Sequence, residues 1–176
     1  VSGNLSGTKA IKATGGDYTT IKAAVADVNN KGIGVDGLEL VLDDDATYTV
    51  GQYDANSTYS GYIRAKTTES NPLIVRRSGT GTNRPLINCP VNTTAVLGFS
   101  GVDYVTVDGL SIVDLGTSTA RGIVFQGLAN DGCNYNVVKN CYVDLNNGSS
   151  TSGTGCIRFE SGAKSDAGKN TYNKVF

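Results

Sequence analysis

The stretch Tyr104 to Leu115, YVTVDGLSIVDL, returns with variation later in the chain, and this repetition limits the folds open to it. Tyr104-Val-Thr-Val-Asp-Gly-Leu-Ser-Ile-Val-Asp-Leu is followed by Tyr135-Asn-Val-Val-Lys-Asn-Cys-Tyr-Val-Asp-Leu and then by Tyr172-Asn-Lys-Val-Phe, so the copies start 31 and then 37 residues apart. Periods of roughly 20 to 50 residues mark solenoids, in which each unit buries its apolar face only against its neighbours.

Within the unit, apolar residues alternate: Val105, Val107, Leu110 and Ile112 in the first copy, Val138, Cys141 and Val143 in the second. That two-residue period belongs to strands. Between the two short strands stand Asp108-Gly109 and Lys139-Asn140. Gly and Asn accept a left-handed backbone, so a corner is expected at Gly109 and at Asn140. Ala95-Val-Leu-Gly-Phe, Gly122-Ile-Val-Phe and Cys156-Ile-Arg-Phe each carry two apolar residues one apart, which predicts about three short strands per coil.

These strands with Asn, Gly and Cys at their corners (VDGLSI, VVKNCYV, YNKVF) resemble the right-handed parallel β-helix, or pectate-lyase-like, superfamily. The opening, ATGGDYTTIKAAVADVNNKGI and then GLELVLDDDATYTV, is similar to the first coils of large secreted or surface-anchored bacterial β-helix proteins, many exported by the type IX route. The resemblance covers nearly the whole chain. It implies an all-β solenoid but no single activity, because lyases, hydrolases, adhesins and structural fibres share that fold.

Charge and cysteine content narrow the partners. Fifteen basic against sixteen acidic residues leave a net charge of -1, and no basic tract marks a nucleic-acid partner. No run of about 18 apolar residues is present, so no membrane span is expected. Cys89, Cys133, Cys141 and Cys156 can form two disulfides in three pairings if the compartment is oxidising. The alternative stacks Cys141 and Cys156 inside the coils as small hydrophobes. With no histidine and no CxxC spacing, no zinc site is expected.

Along the chain, residues 8–13 read as a first strand and Thr19 to Asn29 as an amphipathic helix, with Tyr18, Ile21, Val25 and Val28 on one face. Thr19 or Asp17 is its expected cap and Asn30 to Gly32 its end. Such a helix covers the open end of a solenoid, hiding apolar interior and unpaired strand edges. Residues 1–36 are therefore read as strand and cap, and 37–176 as coils of one continuous domain. Leu38, Leu40 and Leu42 are expected to point inward.

Asp43, Asp44 and Asp45 end that strand, and three adjacent carboxylates suit either calcium, a hard cation, or a solvated turn. Gln52 to Gly61 reads as a projecting loop, whose Tyr53 and Tyr59 are candidate contacts for a sugar or a partner. Tyr48 and Tyr62 are read as packed in or beside strands. Arg76 and Arg77 alternate on a strand, so at most one faces a given groove, and both are read as solubilising surface. Asp114 and Asp144 recur in successive units, which predicts carboxylates stacked about 5 Å apart as a calcium or sugar site, or corner residues capping backbone groups. Arg158 and Glu160 are expected to face outward and to pair across rungs. Tyr172, Val175 and Phe176 look like an ordinary interior strand, so the Phe176 end is read as uncapped, continued by further coils or covered by another chain.

No catalytic residue is assigned. Without histidine, a polysaccharide lyase needs Lys, Arg or Tyr as base and calcium-held carboxylates, and a hydrolase needs two carboxylates facing across a groove. The expectation is a non-catalytic, secreted or cell-surface β-helix segment, an adhesin or surface-filament component contacting polysaccharide or another cell-surface component. The alternatives are the N-terminal part of a polysaccharide lyase or glycoside hydrolase, and a filament subunit stacking end to end.

Overall fold

A computed structural model of the chain describes residues 3–50, 62–89, 95–114, 121–145, 155–162 and 168–176. Strand β1 (Leu5–Ile11) leads to helix α1 (Ile21–Lys31), then to β2 (Ile33–Leu42) and β3 (Thr47–Thr49). Three similar passes follow: β4 (Leu73–Arg77), β5 (Leu86–Cys89) and β6 (Leu97–Ser100); β7 (Val105–Asp108), β8 (Ser111–Asp114) and β9 (Arg121–Gln126); β10 (Val137–Lys139), β11 (Tyr142–Leu145) and β12 (Gly155–Glu160). The last described strand is β13 (Lys174–Val175).

Each pass leaves one strand in each of three parallel sheets, ordered β1-β2-β4-β7-β10-β13, β3-β5-β8-β11 and β6-β9-β12. The chain is thus mostly β, with parallel sheets that do not close into a barrel. Identical faces meet from pass to pass. Leu40, Val75, Val107 and Val138 form one inward column, and Tyr48, Ile87, Ile112 and Val143 a second. Phe99, Phe125 and Phe159 form a third, their rings stacked at 4.7 and 5.0 Å. Leu38, Leu40 and Leu42 are buried as their alternation predicts.

Helix α1 starts two residues later than its apolar period suggests. Thr20, extended at φ -143°, caps it by accepting a bond from the Ala23 N–H at 3.1 Å. Asp17 is spent elsewhere, on the Ala10 N–H at 2.8 Å and on Lys9. Gly32, at φ 75°, ends the helix and returns its N–H to the Val28 carbonyl. Ala24, Val25 and Val28 are buried in the same apolar cluster as Leu5 and Ile11 of β1, the edge strand of its sheet. Asn29 fastens the helix to the next pass, donating to the Tyr62 carbonyl at 2.8 Å and accepting from the Arg64 N–H at 2.7 Å. Among the described residues no helix is long and apolar enough to cross a membrane.

The expected corners are present: Gly109 has φ 71° and Asn140 has φ 54°. A second set of left-handed positions falls on Tyr104, Tyr135 and Tyr172, at φ 50°, 57° and 58°. A tyrosine in that region costs about 1 to 2 kcal/mol. The three rings offset this by stacking in a column, with centroids 4.9 and 4.8 Å apart.

Candidate functional site

The sequence put forward three groups of residues. Tyr53 and Tyr59 lie outside the described residues. Asp114 and Asp144 do not stack: Asp144 pairs with Val113, and Asp114 with Leu145. One register position of slip therefore separates them, so they are not neighbours across the ladder. The tyrosine repeat already carried this information, because 31 residues separate Tyr104 from Tyr135 whereas 30 separate the two aspartates.

The Asp43 to Asp45 run is a turn whose carboxylates diverge. Asp43 pairs with Lys12 at 3.1 Å. Asp44 is fully enclosed and takes both a bidentate Arg77 guanidinium, at 2.7 to 3.2 Å, and the Gly81 N–H at 2.9 Å. Asp45 accepts from the Thr82 and Asn83 N–H groups, each at 2.9 Å. The Arg77 bond is the main reason that Asp44 titrates at about 2, and the Asn83 and Thr82 N–H groups hold Asp45 below the usual carboxylate range. These donors already occupy the oxygens calcium would need, so the run does not fit a calcium site. Among the described residues no group of three or more Cys, Asp or Glu side chains is placed to hold a metal ion.

The arginines are more than solubilising surface. Arg76 pairs with Glu39 at 2.8 Å on the outer face. Arg77 occupies the register position of the buried Leu42, but at the strand end it turns out to Asp44. The cysteines differ as well. None of the four forms a disulfide; Cys89 and Cys133 are buried, Cys141 is half-buried and Cys156 is exposed. Ile157 and Phe159 pack against the core, and the alternation turns Cys156 out, so it is not stacked inside the coils. The cross-rung partner of Glu160 is Arg121, while Arg158 pairs with Glu160 within the strand at 3.3 Å. Tyr48 and Tyr62 are buried, as expected.

Among the described residues, two features of the repeated passes that face solvent bear on function. The first is the tyrosine column, in which Tyr135 is 44% and Tyr172 70% exposed. Tyr135 has both ring faces on its neighbours and presents mainly its edge. Burial raises the Tyr104 phenol, with Glu69, Tyr135 and Asp103 adding to the effect. The second is an open groove of about 580 Å³ lined by Arg77, Thr82, Asn83, Arg84, Ser111 and Tyr142. The 78–85 turn forms one bank, positioned by Asp44 and Asp45 from the previous pass. Arg84 crosses the corner to donate Nε to the Asn140 carbonyl at 2.8 Å. Tyr142, half-exposed, donates its hydroxyl to Asp144 at 3.3 Å, and that carboxylate is the chief cause of its raised phenol. A smaller cavity of about 250 Å³ lies between Lys12, the start of α1 and the turn from β2 to β3.

Sequence reasoning passed over Arg84, Ser111 and Tyr142, because turn residues and outward strand positions carry no periodic signal of their own. Tyr142 had one available cue: it is a large aromatic at an outward position between Cys141 and Val143. No protein-family model, no curated protein and no solved structure matches the chain.

Proposed function

We propose that the three-sheet winding is a right-handed parallel β-helix of the pectate-lyase-like type, and that the chain is a non-catalytic segment of a secreted or cell-surface β-helix protein. In this reading it is an adhesin or surface-filament component that holds polysaccharide on its outer face. Parallel strand-to-strand crossovers are right-handed in nearly all proteins, which supports the handedness. One observation carries the non-catalytic part. Among the described residues, every carboxylate whose titration is displaced, namely Asp17, Asp27, Asp44 and Asp45, is displaced downward by a hydrogen-bonding partner. A general acid for glycosidic cleavage needs the opposite displacement. The groove with its exposed Tyr142, and the tyrosine column beside the corners, support the contact with sugar.

The test is a glycan array probed with the purified chain, run beside assays for new reducing ends and for unsaturated uronate ends. Binding without product release supports the proposal. Product release would replace it with the lyase or hydrolase reading, and binding to no polysaccharide would remove the sugar contact.

A second reading is end-to-end assembly, in which Tyr172, Val175 and Phe176 of the β13 edge would meet a further parallel layer, whether of this protein or of another copy. Such an edge offers unpaired backbone groups and apolar area to another parallel layer. Sedimentation that stays monomeric as concentration rises would set this reading aside.

A further inference from the structure

The groove beneath the 78–85 turn is crossed by charged side chains, yet these cancel. The cations that line it are Arg77 and Arg84, and Lys139 stands next to the Asn140 corner that Arg84 bonds. Facing them are Asp44 on Arg77, Asp45 on the turn backbone, Asp108 on Lys139 and on the Asn140 amide, and Asp144 on Tyr142. Among the described residues Arg84 itself bonds only the Asn140 carbonyl, but four carboxylates stand against three cations, so the groove and its surroundings carry no surplus positive charge to hold a polyanion. What remains for a ligand is hydrogen bonding and one aromatic surface. Thr82, Asn83 and Arg84 are exposed on one bank, Ser111 is half-buried in the floor, and the Tyr142 ring stands on the other bank.

From these observations we infer that this groove is the saccharide subsite and that its ligand is an uncharged oligosaccharide running across the strands. The inference rests on the polysaccharide-binding reading above and names its site and ligand class. Hydroxyl-rich pyranose rings match this wall chemistry: their equatorial oxygens reach Thr82, Asn83, Ser111 and the guanidinium, and their C–H face lies on Tyr142. The route from the turn before β5 past Ser111 of β8 to Tyr142 of β11 covers two strand spacings, about 10 Å in all, room for a disaccharide-length segment. The groove also lies within the range of about 300 to 1,000 Å³ typical of ligand sites. Because Arg77 is locked to Asp44 and Arg84 to Asn140, the polar wall is held before any ligand arrives, which lowers the ordering cost of binding.

The experiment is calorimetric titration of the whole chain with uncharged tetrasaccharides of glucose, mannose and galactose, beside a galacturonate tetramer, at about 0.05 M and about 0.5 M salt. The expected result is binding of at least one uncharged tetramer that changes less than about twofold with salt. Tyr142→Ala should weaken that binding roughly tenfold, the size of one lost aromatic stacking contact, and Tyr142→Phe should retain most of it. Arg84→Gln should weaken it as well, and Ser111→Trp, which fills the floor, should abolish it. Because Tyr142 and Arg84 are exposed, unchanged thermal unfolding of their variants separates lost binding from lost folding. Tighter, salt-sensitive binding of the galacturonate tetramer would overturn the ligand class. Uncharged-sugar binding untouched by all the variants would overturn the location and leave the polysaccharide reading standing. A wild-type chain that binds no saccharide here or on the array would overturn that reading itself.

Discussion

Asn136 is fully buried, and its side chain replaces two pieces of backbone pairing at the tyrosine corner. Its Oδ1 accepts from the Val105 N–H at 2.8 Å and its Nδ2 donates to the Val102 carbonyl at 3.2 Å. Asn136→Ala leaves both backbone groups orphaned where water does not reach. Each orphan costs about 1 to 3 kcal/mol, so the substitution should destabilise the chain by about 3 kcal/mol after partial relaxation. The next pass contains an internal control. Asn173 makes the equivalent bonds, accepting from the Asn136 N–H at 2.9 Å and donating to the Cys133 carbonyl at 2.8 Å, but it is only half-buried. Asn173→Ala should therefore cost about 1 kcal/mol, because solvent can rescue the groups it releases. Asn136→Asp should be worse than Asn136→Ala above the aspartate pKa, since it sets a buried carboxylate against the Val102 carbonyl. Urea unfolding followed by both circular dichroism and tyrosine fluorescence gives these values if the two transitions coincide. A cost below about 1 kcal/mol for Asn136→Ala, or one equal to that of Asn173→Ala, would refute the argument that burial of the orphaned groups sets the penalty.

Phe125, stacked on both faces and fully buried, should lose about 3 to 5 kcal/mol on truncation to alanine. Phe159→Ala should lose less, since among the described residues Phe159 stacks on Phe125 alone and is only half-buried; the reverse order in urea unfolding would contradict this. Asp44 titrates at about 2 in the folded chain against 3.8 unperturbed, so its folded value lies below its unfolded one. Its contribution to stability is then complete above pH 3.8 and is lost as pH falls through about 2. Asp44→Asn should flatten the stability profile across that window, and an unchanged slope would show that the Arg77 bond does not govern it. A thiol reagent should label Cys156 at once and Cys141 slowly, because burial raises the Cys141 thiol, and it should reach Cys89 and Cys133 only on unfolding. Fast labelling of Cys133 in the native chain would contradict its burial.

The sequence by itself determined the winding. A tyrosine that recurs after 31 and 37 residues, two-residue alternation between the repeats, and Gly109 or Asn140 at matching positions specify short strands returning to the same sheets. The phenylalanine column was legible for the same reason, since Phe99, Phe125 and Phe159 each close a strand of similar pattern. These features are periodic, and periodicity survives without coordinates. Only the tertiary structure decided the register and the partners. One residue of slip separates Asp114 from Asp144, and Asn136 holds the inward position that Val105 occupies one pass earlier. Asp43, Asp44 and Asp45 look like one acidic site in the sequence but take three different partners, all of them on segments more than 30 residues away. The groove likewise gathers side chains from successive passes, Thr82 and Arg84 on one, Ser111 on the next and Tyr142 on the one after. Such contacts depend on how long each connecting loop is and on which face each residue presents once strands have paired, and neither is a local property of the chain.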